Sequence, residues 1–223
     1  MDQKRKKAIV ILLSSFILNV AVYLVSRLIA GSWEHTDITS RWDQMIPFLS
    51  WTVIIYLGWY ALYIANYILA ASADDKTRDR FFCADALAKI ICFVIFLAFP
   101  TTNIRPVVSD TGFFEKLMML VYYLDAPDNL FPSLHCLVGW FCWIGVRKRK
   151  DIPITYRIFS LLAAISICIS TLTTKQHVII DVLSGIALAE GIYAISGISC
   201  VRSLYSKIIA GLFRLLRIQC DNT

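Results

Sequence analysis

Two of the chain's three histidines, His135 and His177, stand among residues suited to phosphoryl chemistry. His177 and Asp181 are four apart, so on a helix they share one face. A carboxylate that accepts from one ring nitrogen fixes the tautomer and leaves the other nitrogen's lone pair aimed at an electrophile. His177 is then a candidate nucleophile; the plain alternative is a His–Asp pair that only ties helix ends together. Pro132-Ser133-Leu134-His135 puts proline where a helix's first turn tolerates it, and the free amides that follow suit an anion, phosphate above all. Ser133 adds a hydroxyl donor and His135 a proton to give, although a Pro-Ser cap is also a common structural device. Arg105, before Pro106, sits in a stretch poor in other cations, and its planar fork matches phosphate oxygens better than a lysine would. Its plain alternative is an arginine snorkelling to a membrane interface.

The elements that must position these groups are membrane helices. Of 223 residues, 58% are apolar and 17% charged, and mean hydropathy is +0.65. Soluble domains average roughly 45 to 50% apolar and about 25% charged, so an ordinary soluble domain is excluded. A net charge of +6 would suggest nucleic acid in a soluble protein; here it marks topology, and no nucleic-acid partner is expected. Cations cluster at Lys4 to Lys7, Lys76 to Arg80, Arg147 to Lys150 and Arg202 to Arg217, alternating with connectors poor in them. Positive loops stay cytoplasmic. The seven cysteines show no CxxC pairing and no histidine spacing for a metal, so neither disulfides nor zinc are expected. The apolar run from Ala8 to Ala30 is too long for a signal-peptide core and is expected to remain as an anchor.

The pattern predicts one all-α membrane domain over residues 1–223 with six spans: about Ala8 to Ala30, Met45 to Ala71, Phe82 to Phe99, Phe131 to Arg147, Ile154 to Leu172 and His177 to Ile198. Phe113 to Leu124, interrupted by Glu115 and Lys116, is too short to span and is expected to lie on the outer interface. Residues 201–217 place Arg202, Lys207, Arg214 and Arg217 on one side of a helix and leucines and isoleucines on the other, which suits an amphipathic helix on the inner leaflet. Both termini then fall in the cytoplasm and all three polar motifs on the extracytoplasmic side. Asp85 and Lys89 are expected to pair on a helix surface near the inner interface. Glu190 is expected to act as a polar tether in tight helix packing.

Thr101 to Pro106, Asn129 to His135, and Ser170 to His177 with Asp181 resemble, in order and spacing, the three signature motifs of the type 2 phosphatidic acid phosphatase superfamily. The motifs cover residues 101–185. The resemblance implies a metal-independent enzyme without cofactor: His177 forms a phosphohistidine, Asp181 orients it, His135 protonates the departing alkoxide, and Arg105 and Ser133 hold the phosphoryl oxygens. The chain departs from the family pattern at Ala98, where a lysine is usual, and at Thr171, where an arginine is usual. Lys175, two residues before His177, is the candidate replacement for one of these cations, with an interfacial anchor as the alternative. Leu134, where the phosphatases prefer glycine, is similar to the inositol phosphorylceramide synthase branch, which transfers head groups.

The expected function is a plasma-membrane phosphatase acting on a lipid phosphomonoester or a polyprenyl diphosphate, with a lipid head-group phosphotransferase as runner-up. Two other classes are weighed against it. A metal site of His135, His177 and Asp181 is disfavoured by the positive potential of Arg105 and the Pro-Ser helix end. A transporter would rest on Glu190 alone. Oligomeric state is not legible.

Overall fold

The computed structural model describes residues 3–109 and 111–215. Among them the chain is mostly helical, with almost no strand: α1 (Gln3–Ala30), α2 (Arg41–Met45), α3 (Val53–Ala71), α4 (Asp75–Ala98), α5 (Phe113–Leu124), α6 (Leu134–Val146), α7 (Ile154–Thr173), α8 (Ile179–Ile195) and α9 (Ser199–Leu215). Four stretches, Arg5–Ala30, Ser50–Ala71, Asp75–Ala98 and Ile154–Thr173, are long and apolar enough to cross a membrane. The protein is an all-α membrane protein. Exposed Leu13, Ile17, Leu28, Ile64, Val94 and Leu162 give the bundle the apolar outer surface that lipid requires. The fourth and sixth expected spans are shorter helices, α6 of 13 residues and α8 of 17. At 1.5 Å per residue α6 is about 20 Å long, less than a hydrocarbon core. It is also the most enclosed helix, with ten residues from Leu134 to Val146 buried among α3, α7 and α8.

Several boundaries differ from the sequence pattern for local reasons. The second span begins at Val53, not Met45, because Pro47 interrupts the approach and a 3-10 turn over Ser50–Thr52 precedes the helix. Ahead of it, α2 is capped by Ser40 and Asp43, each side chain bonding the other's backbone N–H. Helix α4, the third expected span, starts seven residues before Phe82, where the Asp74 carboxylate accepts from Thr77 N at 3.1 Å. Helix α5 has the expected bounds, and Met118 and Val121 on it pack with Val53 and Tyr56 of α3. Helix α9 covers the expected amphipathic tail as far as residue 215; residues 216 and 217 lie outside the described ones.

The charged pair of α4 is a correction to the sequence reading. Asp85 and Lys89 are both fully buried in the bundle, 2.8 Å apart. Asp85 also accepts from Ser15 of α1 at 2.6 Å and Tyr67 of α3 at 2.6 Å, while Lys89 reaches the Ser15 carbonyl at 3.2 Å and the Tyr63 hydroxyl at 3.2 Å. Each charge is therefore surrounded by partners, the condition for tolerating it in a low-dielectric interior. Glu190 is tethered as expected: it accepts from Trp140 Nε1 at 2.8 Å and from both terminal nitrogens of Arg147 at 2.5 and 2.9 Å.

At the opposite end the connectors are laced together. Thr36–Asp37 pairs in parallel with Thr101–Thr102. Leu49 N donates to the Thr173 carbonyl at 2.9 Å, and the Thr52 and Thr173 hydroxyls meet at 2.8 Å. Asp43 Oδ1 accepts from Ile179 N at 2.7 Å. The connector after α1 is thereby bound to the turn between α7 and α8, which carries His177.

Candidate active site

His177 lies in the turn just before α8, and its geometry differs from the shared helix face that spacing alone suggests. Helix α8 begins at Ile179, and Asp181 caps it by accepting from Val178 N at 2.9 Å. The other Asp181 oxygen lies 2.9 Å from His177 Nδ1. One carboxylate thus ends the turn and orients the imidazole. With Nδ1 occupied, Nε2 is the nitrogen free for an electrophile. The turn is built on the Thr171 carbonyl, which accepts from Gln176 N at 3.0 Å and His177 N at 3.1 Å. Lys175 within it has φ 54°, a left-handed conformation that costs energy for a residue with a Cβ and that clusters at functional sites.

Helix α6 brings the second motif to the same place. Ser133 N donates to the Asp181 carbonyl at 2.9 Å, joining the two motifs through their backbones. The Ser133 hydroxyl oxygen accepts from Cys136 N at 3.1 Å, so Ser133 is the N-cap of α6 and is fully buried. A Cβ at Gly185 would stand 2.6 Å from the Ser133 carbonyl, so α8 approaches α6 this closely because that position is glycine. The rings of His135 and His177 are 5.6 Å apart between centroids.

Arg105 reaches the site from the connector after α4. One terminal nitrogen donates to the Asp125 carbonyl at 2.6 Å and the other to Gln176 Oε1 at 2.5 Å; the guanidinium lies over the Tyr122 ring. Burial lowers its pKa from the ordinary value, and Asp125 opposes that shift. Arg105 Nε and Gln176 Nε2 are buried donors without a partner among the described residues. Unanswered donors beside two histidines fit an incoming anion.

Arg105, His135, Gln176 and His177 line one cavity of about 310 Å³. Its remaining wall is mostly apolar, with Val20, Leu24, Leu57, Phe96, Val121 and Leu134, and it includes the carboxylates Asp125 and Asp128. Asp128 pairs with Arg27 at 3.4 Å, and burial raises its pKa. Lys175 lines a second cavity with Asp43, Asn103 and His177, and not the one Arg105 lines. Its ammonium donates to the carbonyls of Asp43 at 2.6 Å and Ile46 at 2.5 Å. Among the described residues no three His, Cys, Asp or Glu side chains are grouped so as to hold a metal ion; His177 Nδ1 faces Asp181 instead.

The site thus gathers Arg105, His135, His177 and Asp181 at the junctions of four helices, and residues 20–195 match the family model described as the PAP2 superfamily. The chain belongs to that superfamily. Neither a curated protein nor a solved structure matches it. In PAP2 terms the third motif's usual arginine position, Thr171, is buried and its hydroxyl bonds the Cys168 carbonyl at 2.7 Å, while Ala98 ends α4. Sequence reasoning missed Tyr56, Trp59, Asp125 and Gln176 as members of this PAP2 site. Gln176 had a signal, adjacency to His177; Tyr56 and Trp59 lie 79 and 76 residues from His135, and Asp125 reaches it only through Tyr56.

Proposed function

We propose that this protein is a lipid-phosphate phosphatase in which His177 takes the phosphoryl group from a lipid phosphomonoester or a polyprenyl diphosphate. PAP2 membership supports phosphatase or phosphotransferase chemistry, and one observation carries the assignment to these residues: His177, held at Nδ1 by Asp181, lines the same largely apolar cavity as Arg105 and His135. The lipid tail occupies the apolar wall and the phosphate meets the two histidines. His177 Nε2 attacks phosphorus and the bond to the leaving oxygen breaks, releasing the lipid alcohol from a monoester or polyprenyl phosphate from a diphosphate, and His135 supplies the proton that the leaving oxygen takes up. Arg105 and the unanswered donor of Gln176 offset the charge on the phosphoryl oxygens. Water then cleaves the phosphohistidine. Arg105 and helix-end amides form the charge sink, so turnover is expected to survive chelators. The alternating cationic clusters support a plasma-membrane orientation with both termini cytoplasmic and the site extracytoplasmic, with α6 and α8 completing six spans.

A second reading has its own observation. Arg105 is the one Lys or Arg side chain among the residues lining the cavity, alongside two carboxylates, which suits a singly charged phosphodiester better than a dianion. The enzyme would then transfer a head-group phosphate to an alcohol: His177 displaces the lipid alcohol from the diester, the head group stays on the phosphohistidine, and the acceptor alcohol displaces the histidine to give a new diester. Incubating purified protein with panels of lipid phosphomonoesters and phosphodiesters, with and without alcohol acceptors, separates the two: free phosphate from the monoesters supports the hydrolase, a new phosphodiester from the diesters the transferase. Neither product, with no phosphoenzyme, removes both.

A further inference from the structure

His135 has partners that proton donation alone does not require. Its Nε2 lies 3.0 Å from the Tyr56 hydroxyl, which in turn lies 3.2 Å from Asp125 Oδ2. The other oxygen of that carboxylate accepts from Tyr23 at 2.6 Å. The imidazole packs at a tilt against Tyr56 and Trp59, with centroids 4.9 and 4.8 Å away, and Trp59 Nε1 donates to the His135 carbonyl at 2.9 Å. Ring position is therefore fixed by packing, and the hydroxyl of the buried Tyr56 adds something else.

A phenol carries one proton, and an ionised carboxylate only accepts. The Tyr56 proton therefore goes to Asp125, and the phenolic oxygen faces His135 as an acceptor. The hydrogen between them belongs to Nε2 of His135. Nδ1, with no hydrogen-bond partner among the described residues, is the nitrogen left to exchange a proton with substrate. We propose that Tyr56, backed by Asp125, is a positioning residue that holds a hydrogen on His135 Nε2, so that Nδ1 delivers and recovers the proton of phosphoryl transfer.

The inference rests on His135 being the acid for His177. As the His177 N–P bond forms, the P–O bond to the lipid alcohol breaks and its electron pair stays on oxygen. The Nδ1 proton moves to that oxygen and leaves neutral imidazole, still bonded through Nε2 to Tyr56. In the second half, water or an alcohol gives its proton to Nδ1 as its oxygen bonds phosphorus and the N–P bond breaks. Tyr56 neither gains nor loses a proton.

The test uses the full-length protein in lipid vesicles, comparing an alkyl lipid phosphate with an aryl phosphate whose leaving group needs no proton. Tyr56→Phe keeps the ring and its packing and removes only the hydroxyl, with its acceptor for His135 and its donor to Asp125. Its kcat on the alkyl substrate should fall about 10- to 100-fold, below the full worth of a general acid, with little change in KM and little loss on the aryl substrate. Placed on His135→Ala, Tyr56→Phe should cost nothing further, because there is no imidazole left to position. Asp125→Asn, which leaves the phenol a weaker acceptor, should give the same pattern at smaller size and serves if Tyr56→Phe does not fold. Equal loss on both substrates, no loss, or a further loss in the His135→Ala background would overturn the proposal while leaving the phosphohistidine reading intact. Absence of a phosphoenzyme in the wild-type protein would overturn both.

Discussion

Two histidines face one cavity, and each is backed by a carboxylate, but the backing is built in opposite ways. His177 meets Asp181 directly at 2.9 Å, from four residues away on the same turn. His135 meets Asp125 only through the Tyr56 hydroxyl, and the three groups come from α6, the connector before it, and α3. A local pair is fixed once its turn folds and stays rigid as neighbouring helices shift. A relay across three elements is as precise as the packing of the bundle. The nucleophile, which must be aimed throughout the cycle, has the first arrangement, and the group that exchanges a proton twice has the second.

The largest expected effect tests the nucleophilic arm. His177→Ala should abolish the covalent intermediate and lower turnover by a factor on the order of 10⁵ or more, the scale of losing a nucleophile. A radiolabelled lipid phosphate followed by rapid quench reads this, and a trapped phosphoenzyme in the variant would exclude His177. Next is Asp181→Asn, which keeps the side chain's shape but allows the wrong tautomer, with an expected loss of about 10³ to 10⁴ in kcat. The same variant weakens the cap on Val178 N, so its unfolding midpoint should fall as well. A drop in stability with normal kcat would make the pair structural. His135→Ala tests the other arm: about 10² to 10⁴ on alkyl phosphates and far less on activated aryl phosphates. Equal losses would contradict the acid role.

The same contrast explains what the sequence could reveal. The His177–Asp181 pair is legible because four-residue spacing brings side chains together whether the segment is helix or capped turn. The partners of His135 are 79 residues away for Tyr56, and Tyr56 meets Asp125 across 69, distances at which no local periodicity operates. Tyr56 read simply as one more aromatic in an apolar span. Asp85 and Lys89 show the converse failure. Their spacing correctly made them a pair, but in a helix bound for lipid the apolar residues run all round, so the pattern does not say which side faces protein. Burial then came from Ser15, Tyr63 and Tyr67 on two other helices. The six apolar runs were visible in composition, while the break at Pro47 was lost inside one run and the short α2 in the connector before it, despite the Ser40 and Asp43 capping signal.

The smallest expected effect concerns Lys175, and it separates the site from its surroundings. Spacing makes it the natural stand-in for the cations missing at Ala98 and Thr171, since it is two residues from His177. In the structure its ammonium donates to the Asp43 and Ile46 carbonyls, binding α2 and the strand of chain after it to the turn of the third motif. Asn103 Nδ2 donates to its carbonyl at 2.9 Å, so the residue is braced at both ends. Burial lowers the ammonium's pKa and Asp43 offsets part of that shift. A brace predicts that Lys175→Ala leaves kcat within about tenfold of wild type, while the unfolding midpoint drops by an amount matching about 1 to 3 kcal/mol, the scale of charged hydrogen bonds. Lys175→Gly sharpens this, because glycine accepts φ 54° without a Cβ penalty and should recover part of the stability lost by alanine. A clamp predicts the reverse: a fall on the order of 10² in kcat at unchanged stability, restored in part by Lys175→Arg and not by glycine. That outcome would require the Lys175 side chain to leave α2 when substrate binds, and would move the protein toward the doubly charged phosphomonoesters that one arginine holds poorly.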